Sequence, residues 1–304
     1  MSRTIIQVVF AIALALSACW GQNSVKREKM VRRVRDAVAL FDGSVCLFAK
    51  NLDTGESYGI REDERVRTAS TIKLPIMVGV FAAVEAGQAR FTDELVLLNA
   101  GKVSGSGVLS EFSEGVRLPV RDLMHLMIVV SDNTATNMLL DWFTGDAVNE
   151  QMDKLGLKQT RSLRKVMGGG KSAVPSGWSK AGQVEENKRF GIGVSTPREM
   201  VTLLEKLEQG QVVSPPASKE MLAILKRQQY KDGIGRSLGE TPVGSKSGAL
   251  DHLRSDVGIA YTPGGRIAIA ITVDEMRAVD YSAENQGNKF ISMLTQLLLE
   301  GLGK

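Results

Sequence analysis

Ser70-Thr71-Ile72-Lys73, running straight into the apolar segment Leu74 to Val84, decides how this chain is read. The apolar segment reads as a buried helix, and Ser70 stands at its start. Free backbone N–H groups and the positive end of the helix dipole favour negative charge on an oxygen placed there. Residues three apart share a helix face, which brings the Lys73 amine within reach of the Ser70 hydroxyl. The same Ser-x-x-Lys spacing recurs at Ser162 and Lys165. That pair lies in the charged run Lys158 to Lys165 with no apolar helix after it, and reads as solvated surface.

Two further stretches complete the pattern. Ser131-Asp132-Asn133 follows the apolar run Leu123 to Val130 and precedes Thr134 to Phe143, a second helix. Asp132 and Asn133 are good caps, so helix capping is one reading of this tripeptide. Lys246-Ser247-Gly248 continues into Ala249-Leu250 and is followed by strand-like segments at Asp256 to Tyr261 and Arg266 to Val273. Taken alone it reads as an ordinary strand. The three in order supply two hydroxyls and two amines, the equipment for an acyl-serine hydrolase that needs no histidine.

With these residues in place, the chain resembles the serine beta-lactamase and penicillin-binding protein superfamily, and class A beta-lactamases most closely. The resemblance rests on Ser70 to Lys73, on Ser131 to Asn133 continuing through Asn137, and on Lys246 to Gly248. It implies Ser70 as nucleophile, Lys73 as proton acceptor or relay, and Ser131 with Lys246 as the route for a proton to the leaving nitrogen. It further implies that Asn133, Ser247, Gly248 and Ala249 bind substrate, the N–H groups of Ser70 and Ala249 forming an oxyanion hole. The implied fold is α/β (α+β): an antiparallel sheet flanked by helices, with an inserted all-helical region. Residues 26–67 plus 210–304 would form the α/β part and 68–209 the helical part of one catalytic domain.

The implied activity is hydrolysis of a beta-lactam amide through an acyl-Ser70 intermediate. The alternatives are a D,D-peptidase or transpeptidase acting on peptidoglycan stem peptides, and a non-hydrolytic sensor that is acylated and stays so. One departure separates them. The class A pattern places a glutamate about seventeen residues before a Thr-Pro pair, where it activates the deacylating water. The pair here is Thr196-Pro197, and the corresponding residue is Lys180. The segment Gly168 to Ser195 is rich in Gly, Ser and Lys, with Glu185 and Glu186 its only carboxylates. Two readings stand for these: replacement deacylation bases, or exposed charges. Arg254 likewise reads either as a second anchor for the substrate carboxylate, by planar bidentate recognition, or as a surface strand residue.

The remaining sequence bounds the setting. Arg3 followed by Ile5 to Leu16 reads as a secretory signal, too short for a comfortable membrane span. Its end, Leu16-Ser17-Ala18-Cys19, resembles a lipoprotein signal spanning residues 1–18, with Cys19 lipidated; the alternative is ordinary cleavage near Gly21-Gln22. An exported protein, periplasmic or lipid-anchored at the envelope, is expected, with the anchor as its sole membrane contact. Cys46, the other of two cysteines, reads as a buried small hydrophobe. The chain has two histidines, His125 and His252, which form no metal pattern, so no metal and no cofactor is expected. A net charge of +4 calls for no nucleic acid. The basic cluster Lys26 to Arg35 carries Met30, Val31, Val34 and Val38 at helical spacing and reads as an amphipathic first helix. A monomer acting on a small beta-lactam or stem peptide is the expectation.

Overall fold

A computed structural model describes residues 25–166 and 177–303. The expected signal segment and Cys19 lie outside the described residues, as do positions 168–176 of the Gly/Ser/Lys-rich segment.

The chain opens with helix α1 (25–40), then strands β1 (Ser44–Asn51), β2 (Ser57–Ile60) and β3 (Val66–Arg67). A short 3-10 turn, Ala69–Ile72, leads into α2 (Lys73–Glu85). The hairpin-like pair β4 (Glu94–Val96) and β5 (Arg117–Pro119) brackets a long loop before α3 (Val120–Val129), α4 (Asn133–Phe143) and α5 (Gly145–Lys154). Next come β6 (Arg161–Ser162), the single turns α6 (Lys180–Gln183) and α7 (Glu185–Lys188), β7 (Gly193–Ser195), α8 (Pro197–Glu208) and α9 (Pro215–Leu225). Strands β8 (Val243–Leu250), β9 (Leu253–Thr262) and β10 (Gly265–Asp274) precede the last helix, α10 (Gln286–Leu302).

The main sheet runs β2-β1-β10-β9-β8, antiparallel throughout. Alternation along β10 explains its two faces, because successive side chains leave a strand on opposite sides. Ile267, Ile269, Ile271 and Val273 pack with Met30 and Val34 of α1 and with Ile291, Leu294 and Leu298 of α10. The small Ala268 and Ala270 face the other way, onto the larger core around α2 and α8. Helix α2 is buried on almost every side, as its unbroken apolar sequence requires.

The expected antiparallel sheet flanked by helices is therefore present. The segment 68–209 is mostly helical but not wholly so: it also holds β4 to β7, and β6-β7-β3 form a small sheet of their own. Those strands are two or three residues long and exist through pairing with distant residues rather than through local pattern. That pairing also corrects the reading of Ser162. It lies in β6 opposite Gly193, is 1% exposed, and exchanges backbone hydrogen bonds with the Asn149 amide. Lys165 is nearly buried too and pairs with Asp141 at 2.5 Å. Cys46 is buried in β1, and burial pushes its thiol up to about 11.

Candidate active site

Ser70 sits in the 3-10 turn, with Ala69 before it held at φ +47°. A positive φ at a residue with a Cβ is strained backbone, of the kind that clusters at functional sites. Thr68 holds the turn from below: its carbonyl accepts from both the N–H and the hydroxyl of Thr71. Against this turn packs β8. A Cβ added to Gly248 would stand 2.8 Å from Thr68 O and 3.0 Å from the Ser70 nitrogen. No side chain fits there without pushing the strand off the nucleophile turn. Gly248→Ala is accordingly expected to lower the acylation rate by an order of magnitude or more while leaving the circular-dichroism spectrum unchanged; an unaltered rate would show that the contact does not matter.

Lys73 and Lys246 are both fully buried. The Lys73 Nζ lies within hydrogen-bonding distance of Ser131 O (2.6 Å), Ser131 Oγ (3.1 Å) and Asn133 Oδ1 (2.8 Å). The Lys246 Nζ donates to the same Ser131 Oγ at 3.0 Å and to Ser247 O at 2.7 Å. Two amines from distant parts of the chain thus converge on one hydroxyl. Ser131 itself is at φ +54° in the turn between α3 and α4. Burial, reinforced by the neighbouring Lys246 ammonium and opposed by Asp132, holds the Lys73 amine well below its usual range. Burial also brings Lys246 down to about 7, with Asp256 working against it.

Asp132 is the cap that its sequence suggested. It takes Ala135 N on one oxygen and Val108 N and Leu109 N on the other. These bonds tie the loop Lys102–Gly107 over the start of α4. Gly107, at φ +93°, passes so close to Asp132 that an added Cβ would overlap its carboxylate. Asn133 completes the clamp, its Nδ2 donating to Ser104 O and its backbone N–H to Ser106 O. The Asn133 amide keeps one further N–H for a ligand.

Three expectations need correction or placement. Arg254 is 3% exposed, and its guanidinium donates to the carbonyls of Leu250, Leu253 and Asp280 beneath the Tyr281 ring. It pins the β8–β9 turn to the segment before α10; it is neither a surface residue nor open to a substrate carboxylate. Glu185 and Glu186 lie exposed on α7, and Glu185 pairs with Lys188 at 2.5 Å. Neither hydrogen-bonds to Ser70, Lys73, Ser131 or Lys246. His125 and His252 are each satisfied by a backbone carbonyl, Arg121 O and Met276 O. Among the described residues no group of three or more His, Cys, Asp or Glu is placed to hold a metal.

Asn137 and Val166 join the surroundings of the site through a contact that no local sequence pattern marks. Asn137 lies one helical turn beyond Asn133, a spacing that puts both on one face of α4. Its amide pairs with both the N–H and the C=O of Val166, at 2.8 and 2.6 Å. The valine, not a carboxylate, is thereby held where the long loop meets α4.

A family model described as the beta-lactamase enzyme family matches residues 29–302, and the chain belongs to that family of serine hydrolases, within the wider beta-lactamase and penicillin-binding protein superfamily. A beta-lactamase from Sphaerobacter thermophilus DSM 20745 is 32% identical with a TM-score of 0.76, over 90% of this chain and 96% of that one. PBP-A, solved as the acyl-enzyme complex of a mutant with penicillin G, shares the fold at 24% identity and TM-score 0.74, over 89% of this chain and 95% of the other. A beta-lactamase regulatory protein from Streptomyces cacaoi is 33% identical over 129 residues; the match spans 41% of this chain and 40% of that relative's length.

Proposed function

We propose that the protein is acylated on Ser70 by beta-lactams, or by the D,D-peptides they resemble, and that the acyl-enzyme is long-lived. Ser70 Oγ attacks the carbonyl carbon while the neutral Lys73 amine takes its proton. The N–H groups of Ser70 and Ala249 receive the oxyanion. The Ser131 hydroxyl oxygen lies within hydrogen-bonding distance of both lysine amines, 3.1 Å from Lys73 and 3.0 Å from Lys246, where its hydrogen can be handed on. As the C–N bond breaks, Ser131 gives that proton to the nitrogen and recovers one from Lys73, 3.1 Å away, returning the amine to neutrality. The Lys246 ammonium and Ser247 hold the substrate carboxylate.

The observation that carries the second half of the reading is compositional. From residue 154 to 184 the chain contains no Asp or Glu. Glu185 and Glu186 follow on the exposed α7, and neither hydrogen-bonds to Ser70, Lys73, Ser131 or Lys246. A missing general base withholds ~10² to 10⁴ in the rate of water attack. A stem-peptide D,D-peptidase and a beta-lactam sensor both suit such chemistry, and the regulatory relative supports the sensor. Hydrolytic turnover is the second reading, favoured by the Sphaerobacter relative named as a beta-lactamase. The apolar run Ile5 to Leu16 and Cys19 support placement at the cell envelope.

Deacylation is tested by forming the penicillin adduct, removing free drug and following loss of the added mass. Slow decay is expected, and Glu185→Gln and Glu186→Gln are expected to decay at the same rate as the unsubstituted protein. Markedly slower decay in either variant would make that glutamate the base and contradict the proposal.

A further inference from the structure

Helix α3 stops one residue short of Val130 and two short of Ser131. The last carbonyls of any helix have no partner within it and must take donors from elsewhere. Three carbonyls at this end are met by distant parts of the chain. Ile128 O receives the Gln228 Nε2 at 3.0 Å, Val129 O the Gln229 N–H at 3.1 Å, and Val130 O the Ser106 hydroxyl at 3.3 Å. Gln228 is 4% exposed, just beyond α9, and its own N–H donates to Leu225 O. Its Oε1 accepts the Tyr230 N–H at 3.1 Å, which fixes the amide with its donor end toward α3. The same segment backs β8: a Cβ on Gly244, two residues before Lys246, would stand 3.3 Å from Lys226 Cγ.

We propose, on the reading of Ser131 as proton donor to the leaving nitrogen, that Gln228 is a positioning residue for that transfer. Ser131 is held at φ +54°, and strain of this kind persists only where the surroundings over-determine it. Lys73 Nζ faces the Ser131 carbonyl from the site, and Asp132 fixes the start of α4. Gln228 and Gln229 secure the remaining side, the end of α3 from which the chain enters the turn. Without the Gln228 amide, Ile128 O is left unpaired in a buried place, and the turn relaxes toward an ordinary φ. The Ser131 hydroxyl then leaves its place between the two amines, 3.1 and 3.0 Å away. Ser70 stands on another element, so its attack is spared.

The test separates attack from departure of the leaving group. Benzylpenicillin releases a nitrogen that needs a proton, whereas an aryl thioester of phenylacetylglycine releases a thiolate that needs none. In the full-length protein, Gln228→Met is expected to slow acylation by benzylpenicillin about tenfold, within the ~10²-fold that a 1 Å misplacement can cost, and acylation by the thioester less than about twofold. Ser131→Ala is expected to show the same selectivity, at ~10² to 10⁴ for the penicillin. Adding Gln228→Met to it should then change nothing further, since two residues acting through one group are not additive. Equal slowing of both compounds, no slowing with the penicillin, or a fully additive loss in the double variant overturns the proposal. No acylation of the unsubstituted protein by either compound would instead defeat the functional reading. Should Gln228→Met fail to fold, Gln228→Asn, which keeps an amide but draws it back by a methylene, is expected to show the same selective loss; equal slowing there overturns the proposal.

Discussion

Ser70→Ala is expected to abolish covalent labelling by any penicillin, with no added mass on the protein after prolonged incubation. Ser70 stands at the head of α2 on a backbone bent by Ala69 at φ +47°, against β8 through Gly248. Ser131, the other hydroxyl at the centre, has its oxygen bonded by two lysine amines and is placed to deliver a proton, not to attack. Removing a half-buried hydroxyl at the helix start leaves the packing of α2 intact. Thermal stability is therefore expected to stay within about 0.5 kcal/mol of the parent, and reversible binding of the drug to persist. A labelled adduct on the alanine variant would refute the assignment of the nucleophile.

Lys73→Met is expected to slow acylation by ~10² to 10⁴, the usual contribution of a positioned base. Methionine matches the length of the lysine stem and fills the buried site, so the loss falls on proton transfer more than on folding. The substitution also deprives Ser131 of the neighbour from which it recovers its proton. The pH profile separates this role from a structural one. Burial and the neighbouring Lys246 ammonium hold the Lys73 amine well below its usual range, and acylation is expected to rise as pH climbs through its titration. The rate falls again as Lys246, near 7, gives up the charge that attracts the substrate carboxylate. Lys73→Met should erase the acidic limb and keep the alkaline one. Retention of both limbs would move the base elsewhere.

The parts of this molecule that were legible in the sequence are those set by local pattern. The alternating Ile and Ala of β10, the unbroken apolar run of α2, and the Asp132 helix start all took the expected form. Lys73, Ser131 and Lys246 meet at one hydroxyl because their motifs each mark the start of a helix or the run of a strand. What stayed hidden depends on partners far along the chain. Arg254 reads as an exposed cation until the carbonyl of Asp280 arrives to bind it. Ser162, in a charged run, is buried by a two-residue strand that pairs with Gly193. Val166 acquires its place from Asn137, across 29 residues of sequence.

The claim that unites these residues is that the protein makes an acyl-enzyme readily and breaks it slowly. Mixing the purified protein with a chromogenic cephalosporin, and following colour and intact mass together, tests it most directly. A burst of colour equal to the enzyme concentration is expected, with a single added mass that persists after the burst. Sustained colour development far beyond one equivalent, with the protein returning to its unmodified mass between turnovers, would contradict it.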